Sequence, residues 1–287
     1  MLSTQAVLRF SKMHGLGNDF VMLDCREHPM PLDTLQLQAL SNRRTGVGFD
    51  QLLSIEPARD TACAFAYGIW NADGSAVGQC GNGVRCVAAW LHRAGLLALD
   101  TTVQLQSPSG PVSVRLQSAT EVTVDMGEPI FDLPRIPFLA DAVAPLYAVD
   151  VGGENVEISA LSMGNTQGVL VVDDLDDPRV ARLGPLLTMH PRFPEQANIA
   201  VVQKLDRNHV RMHEHERGAG WTQACGSGAC ATVVALRQRG EVDANVQVQM
   251  PGGALHISWA GVGEPVWMTG PAAFVFEGEW PIPDRAH

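Results

Sequence analysis

The chain has 287 residues, 46% of them hydrophobic, which is more than one compact core usually organises and ample for two domains. Charged residues make up 18% and aromatics 6%, and the 28 glycines and 18 prolines are scattered, a composition that suits an ordered protein rich in strands and turns. A net charge of −11 with no run of Lys or Arg argues against a nucleic-acid partner, and no apolar run approaches the roughly 20 residues of a membrane span.

The opening MLSTQAVLRFSKMHG has no basic patch followed by an apolar stretch and a cleavage site, so the expectation is a cytoplasmic protein without a membrane partner. Its six cysteines, Cys25, Cys63, Cys80, Cys86, Cys225 and Cys230, read as reduced thiols in a chain this long.

In chain order, VLRFSKM alternates with the period of a half-buried strand. PLDTLQLQALSNRRTG predicts a surface helix ending in a Gly cap. GNGVRCVAAWLHRAGLL places apolar residues at helical spacing and closes at Gly95. VSVRLQ and EVTVDMG return to strand period, and GEPIFDLPRIPF, with Pro129, Pro134 and Pro137, is the expected linking region. A second helix, GSGACATVVALRQRGEV, closes at Gly240 and is followed by the strand-like VQVQM and ALHISW. The final VWMTGPAAFVFEGEW is a strand signal that fits either domain.

The two strong helices start on one repeated phrase, CGNGVRC at Cys80 and CGSGAC at Cys225, each followed by strand-like segments. A repeat spanning about half the chain implies two similar domains, not a solenoid, whose periods run to roughly 20–50 residues. A cysteine just before a glycine-rich helix start sits where unpaired N–H groups and the helix dipole favour negative charge. A free thiol with pKa near 8.5 is only about 3% thiolate at pH 7, and such a setting lowers the value to roughly 3.5–7.5. If the domains face one another, one sulfur removes a Cα proton while the other delivers a proton to the opposite face, and the helix-start amides receive the substrate carboxylate.

A single CGxG turn also reads as a tight turn with a buried cysteine. The spacings to Cys86 and Cys230 do not match the close pairs of a zinc site, and both fall on apolar helix faces. No CxxC redox pair is present, and a Cys/His hydrolase needs one nucleophile, not a mirrored pair.

KMHGLGNDF from Lys12, GVGFDQ from Gly46, NADGSAVGQCGNGVRC from Asn71, FPEQANIAVVQ from Phe193 and ERGAGWTQACGSGAC from Glu216 resemble, in order, the motifs of the diaminopimelate epimerase family. The resemblance runs from about residue 10 to 277. It implies an α/β (α+β) fold of two pseudo-duplicated domains, each a curved, mainly antiparallel sheet around a central helix, with the site in the cleft between them. The N-terminal domain is expected over 1–126 with about 270–287, and the C-terminal domain over 127–269. The resemblance also implies a homodimer that interconverts LL- and meso-diaminopimelate without pyridoxal phosphate or a metal, for lysine and peptidoglycan synthesis.

Position by position, Cys80 matches the family's proton donor and Cys225 its acceptor, labels that exchange with direction. The substrate-binding positions match Asn18, Gln51, Asn71, Gly81, Asn82, Asn165, Asn198, Glu216, Arg217, Gly226 and Ser227. A ligand with two ammonium and two carboxylate groups needs such amides, one acid and one Arg, the Arg suiting a bidentate grip on the distal carboxylate. The plainer reading of Asn18, Asn71 and Asn198 is turn geometry, and of Glu216 with Arg217 a solvated surface pair.

Three positions depart from the family pattern. Gln167 stands where a histidine thought to tune the cysteines is usual, beside Glu216, the other tuner, and a glutamine cannot titrate. Trp221 replaces an acid after GAG, with expected effects on packing or charge near Cys225. Phe276 replaces a dimer-contact tyrosine.

His213 and His215 share a strand face and invite a metal reading that solvent exposure explains as well, and His14 reads as support for the KMHG turn. The rivals are a proline racemase-like enzyme, whose ring substrate has no use for Asn71, Asn198 and Arg217, a related isomerase lacking the cysteine pair, and a weakly catalytic amino-acid-binding homologue.

Overall fold

The computed structural model describes residues 6–78 and 80–283. The elements run β1 (Val7–Gly15), β2 (Asn18–Asp24), α1 (Thr34–Ser41), β3 (Gln51–Glu56), β4 (Phe65–Asn71), α2 (Gly81–Arg93), β5 (Thr102–Ser107), β6 (Gly110–Leu116) and β7 (Glu121–Asp125). After a 3-10 turn (Leu133–Arg135) come β8 (Tyr147–Val151), β9 (Glu154–Ser162), β10 (Thr166–Val172), α3 (Pro178–Thr188), β11 (Asn198–Lys204), β12 (His209–Glu216) and β13 (Gly220–Thr222). The chain closes with α4 (Gly226–Gln238), β14 (Asn245–Met250), β15 (Gly253–Trp259), β16 (Val266–Pro271) and β17 (Ala273–Pro281).

Two compact units result: residues 1–124 with 271–287, and residues 125–270. In the first, the strand order is β17-β1-β2-β3-β4-β5-β6-β7, antiparallel except at β2–β3 and β4–β5. In the second it is β8-β9-β10-β11-β12-β14-β15-β16, antiparallel except at β10–β11 and β12–β14, with β13 hairpinned onto β12. The two patterns are the same. A parallel neighbour needs a crossover connection, so the first parallel pair in each unit is bridged by α1 or α3 and the second by α2 or α4.

The last strand-like stretch divides between the units. Val266–Pro271 pairs with β15, whereas Ala273–Pro281 pairs with β1 and takes the place in the first unit that β8 holds in the second.

Helices α2 and α4 are built alike. Each is capped by a cysteine in extended conformation, and each ends in a Schellman turn. Gly95, at φ 75°, donates to His92 and Leu96 to Leu91; Gly240, at φ 73°, donates to Arg237 and Glu241 to Leu236. The side chains of Val84, Cys86, Val87, Cys230, Val233 and Val234 are fully buried, which makes Cys86 and Cys230 core residues. Burial pushes the Cys86 thiol up to about 12.

The expected Gly cap of α1 is not there. The helix ends at Asn42 in extended conformation, and Gly46 folds back against it, where a Cβ would sit 2.2 Å from the Ala39 carbonyl. Its start follows local rules: Asp33 and Gln36 form a capping box. The proline-rich 127–138 stretch is packed, with Ile136 and Phe138 in the core of the second unit beside Tyr147, Leu183 and Phe193.

Candidate active site

In the first unit, Cys80 Sγ accepts the Gly83 N–H at 3.4 Å, and its thiol lies 3.7 Å from Asn18 Oδ1. Asn18 is held from behind, its Nδ2 donating to Asp50 Oδ2 at 3.0 Å, so its oxygen faces Cys80 and accepts from Asn82 Nδ2 at 3.4 Å. Asn82 in turn accepts from Arg85 Nη2 at 2.8 Å, and the buried guanidinium ties the start of α2 to the Pro271 carbonyl. The approach is close enough that a Cβ on Gly15 would sit 3.1 Å from Arg85 Nη2.

A charged girdle locks the two N-terminal motifs together. Asp19 accepts from Lys12 and from Nη1 and Nη2 of Arg43, Arg43 also reaches Asp50, and Lys12 donates to the Gly48 carbonyl. Burial by itself would raise the Asp19 pKa, but the hydrogen bonds and charges of Arg43 and Lys12 win and hold it well below the usual carboxylate range.

Next to this, Gln51 Nε2 donates to Asn71 Oδ1 at 3.1 Å, and Asn71 Nδ2 donates to Ser75. Gln51 Oε1 is buried with no partner. His14 Nδ1 accepts from Gly17 N–H inside the β1–β2 turn.

The second unit repeats this arrangement with different chemistry. Cys225 Sγ accepts the Gly228 N–H at 3.4 Å and lies 3.4 Å from Ser227 Oγ. Gln167, fully buried, donates from Nε2 to both Asn165 Oδ1 at 3.0 Å and Ser227 Oγ at 3.1 Å, while its Oε1 has no partner. Glu216 accepts from Thr222 Oγ1 at 2.6 Å, Asn198 Oδ1 accepts the Arg217 N–H at 3.0 Å, and Arg217 Nη1 donates to the Glu195 carbonyl at 2.8 Å. Glu216 is thus tied to Thr222, and Arg217 is an exposed side chain on a turn.

Strand registers set these residues in matching rows. Across β2, β3 and β4 the row is Phe20, Gln51, Asn71. Across β10 and β11, Gln167 pairs with Asn198, and one position beyond the Ile199–His215 pair Asn198 meets Glu216. Gln51 therefore corresponds to Asn198, Asn71 to Glu216, and Gly81 and Asn82 to Gly226 and Ser227. The sequence named these residues singly; their correspondence appears only through the registers.

One sequence expectation is overturned. The helix-start environment was expected to lower the pKa of both cysteines, but the Cys225 thiol is pushed well above its usual value. Burial is the largest cause, the carboxyls of Glu214 and Glu216 add to it, and the hydrogen bonds from Ser227 and Gly228 oppose it without prevailing. The same surroundings raise Glu216, through burial, against the Thr222 hydrogen bond.

Trp221 turns away from Cys225. Pairing with His215 on β12 puts it on the opposite face from Glu216, edge-on to His215 at 5.2 Å and so close to α3 that a Cβ on Gly184 would sit 2.5 Å from its ring. His215 is engaged by Thr188 Oγ1 at 2.8 Å, and among the described residues no three His, Cys, Asp or Glu side chains gather into a metal-holding group. Phe276 lies on β17, 49% exposed, with its ring edge-on to Phe10 at 5.9 Å. Sequence reading missed Glu214, whose signal was its parity with Glu216 in the alternating HEHE of β12.

Two cysteines cap equivalent glycine-rich helices in a duplicated frame, the layout of a two-cysteine epimerase. The sequence model described as Diaminopimelate epimerase matches residues 10–131 and 159–275. The chain belongs to the diaminopimelate epimerase family and is an isomerase. The diaminopimelate epimerase of Ectopseudomonas mendocina is 48% identical over 273 residues, covering 95% of this chain and 99% of the relative. That of Xylella fastidiosa is 48% identical over 280 residues, covering 97% and 98%.

Among solved structures, a hydroxyproline epimerase from Agrobacterium vitis with bound trans-4-hydroxy-L-proline superposes with TM-score 0.70 at 17% identity, covering 99% of this chain and 95% of that one. A probable proline racemase from Agrobacterium radiobacter gives TM-score 0.67 at 14% identity, covering 94% and 92%. At such identities the likeness is one of fold. Among the described residues no helix is long and apolar enough to cross a membrane.

Proposed function

We propose that this chain interconverts LL- and meso-2,6-diaminopimelate by moving a proton between Cys80 and Cys225, each acting on one face of the same α-carbon. The observation that carries the reading is the pair of cysteine-capped, glycine-rich helix starts at equivalent positions of a duplicated frame. One sulfur, as thiolate, takes the α-proton, and the other, as thiol, supplies a proton to the opposite face. The raised pKa of Cys225 suits it to begin as the donor, so the role of base falls to Cys80 in that direction and is exchanged in the reverse.

The amides of Gly81, Asn82, Gly226 and Ser227 are suited to the reacting carboxylate as its enolate-like charge develops. Asn18, Gln51, Asn71, Asn165, Asn198, Glu216 and Arg217 supply donors and acceptors for a ligand bearing two ammonium and two carboxylate groups. The exposed Arg217 would exchange its bond to the Glu195 carbonyl for the distal carboxylate. No pyridoxal phosphate or metal has a part in this scheme. The enzyme acts in the cytoplasm as a homodimer, with the face of β17 that carries Phe276 as the contact, and supplies lysine and peptidoglycan synthesis.

The test is LL-diaminopimelate in D2O under reducing conditions, following deuterium uptake and meso product for the unsubstituted chain, Cys80→Ala and Cys225→Ala. Deuterated meso product from the first and no inversion by either variant supports the two-base reading. Binding without exchange means a pocket without the chemistry; neither binding nor exchange removes the substrate.

A further inference from the structure

Below the first turn of α4 the duplicated frame is broken at one residue. The row Met22–Leu53–Ile69 in the first unit corresponds to Val169–Ala200–Glu214 in the second. All six side chains are buried, and five are apolar. Where Ile69 is 1% exposed, Glu214 is 2% exposed, and the small Ala200 opposite it, where the first unit has Leu53, leaves room for the carboxyl. That carboxyl lies under the helix start: a Cβ on Gly228 would sit 2.3 Å from Glu214 Oε2, whereas one on the corresponding Gly83 would meet Leu53 methyls at 3.3 Å and Cys80 Cβ at 3.4 Å.

A buried carboxyl is costly unless hydrogen-bonded, and neither Glu214 oxygen has a hydrogen bond of ordinary geometry. The neighbour that approaches it is the Cys225 thiol. We propose that Glu214 is a positioning residue for the transferable proton of Cys225: a neutral carboxyl, kept dry beneath α4, that hydrogen-bonds the sulfur once its proton has gone to the substrate.

The proton balance is simple. The Cys225 S–H bond breaks as the proton moves to carbon, the electron pair stays on sulfur, and the Glu214 O–H then donates to that sulfur. The ionisable groups near the carboxyl are Cys225, at the α4 cap, and Glu216, two residues along β12. Its neighbours across the sheet, Ala200 on β11 and Thr222 on β13, do not titrate, nor do Ser227 and Gly228 on α4, while Cys230 is a second buried thiol in that helix. Burial, then repulsion by Glu216, keeps Glu214 protonated far above the ordinary carboxyl range, with the thiol interaction opposing. A low-dielectric site that holds a carboxyl and a thiol resists a second negative charge, so Glu214 and Cys225 titrate as a unit.

The inference rests on Cys225 being one of the two acid–base groups, and the test reads protonation without substrate. The chain is labelled with 13C at glutamate Cδ and cysteine Cβ, and the two signals are assigned with Glu214→Gln and Cys225→Ser. The expected result is a Glu214 signal at its protonated position at pH 7, a shared inflection in the Glu214 and Cys225 curves, and a Cys225 midpoint displaced by at least one pH unit in Glu214→Gln. In turnover, that variant shifts the pH profile of kcat by the same amount while KM stays within about twofold.

Titration of Glu214 near the ordinary value of about 4.3 overturns the proposal. So does a Cys225 curve unchanged in Glu214→Gln. If that variant does not fold, the curves of the unsubstituted chain decide: a shared inflection supports the pairing and independent curves overturn it. A shared inflection in a chain that fails the D2O test leaves the pairing standing and removes the epimerase reading.

Discussion

Gln167 Nε2 donates to Ser227 Oγ at 3.1 Å, and that oxygen lies 3.4 Å from Cys225 Sγ. Because the hydroxyl accepts from the amide, its own hydrogen is free to point at the sulfur. Position 167 is therefore placed to influence Cys225 by orienting a hydrogen bond, where a histidine would also titrate.

Gln167→Ala is expected to lower kcat about tenfold, the loss of about 1.4 kcal/mol of hydrogen bonding in the transition state. Gln167→His retains most activity but adds an inflection to the kcat profile, displaced by burial below the ordinary imidazole value of about 6.5. Steady-state rates from pH 5 to 9 check both.

Gly228→Ala places a methyl 2.3 Å from the Glu214 carboxyl. The Glu214 side chain is 2% exposed and can move aside only into a filled core, so the variant is expected to lose about 2–3 kcal/mol of stability. Gly83→Ala, whose neighbours are flexible Leu53 methyls at 3.3 Å, is expected to lose less than about 1 kcal/mol. Urea denaturation of the two variants side by side measures the difference.

Trp221 covers Gly184 and His215 on the face of β12 opposite Glu216. Trp221→Ala should therefore cost stability, about 1–2 kcal/mol for a ring that is 41% exposed, while kcat stays within about threefold. A larger fall in kcat without a loss of stability would place the ring's influence at Cys225.

Stability should respond to acid through Asp19 and to neutral pH through Glu214. Asp19 titrates lower folded than unfolded, so its contribution is present above the unfolded value of 3.8 and is lost as pH falls below it. Glu214 titrates higher folded than unfolded, so its contribution is present below the unfolded value of 4.5 and declines as pH rises toward the folded value. Urea midpoints from pH 3 to 8 are expected to fall less steeply below pH 4 in Asp19→Asn, and to decline less between pH 5 and 8 in Glu214→Gln.

Much of the fold was legible because it is local. Period-two alternation in VLRFSKM, VQVQM and ALHISW became β1, β14 and β15, and helical spacing closed by Gly95 and Gly240 became α2 and α4. The end of α1 was misread because Gly46 serves a close approach to the Ala39 carbonyl, a tertiary contact, and not a cap. The last strand signal was ambiguous because half of it pairs with β15 and half with β1, and partners hundreds of residues away leave no local mark.

By itself the sequence determined the duplicated Cys-Gly-x-Gly phrase, the polar residues grouped with it and the family, since these depend on residue identity and order. Only the tertiary structure decided which residues share a row, that Gln167 reaches Cys225 through Ser227, and that Glu214 is buried beneath α4. It also reversed the expected effect on Cys225. The helix start lowers a thiol pKa through a few nearby N–H groups, but desolvation and the carboxyls of Glu214 and Glu216 come from the surrounding fold, and in this setting they are the stronger influence.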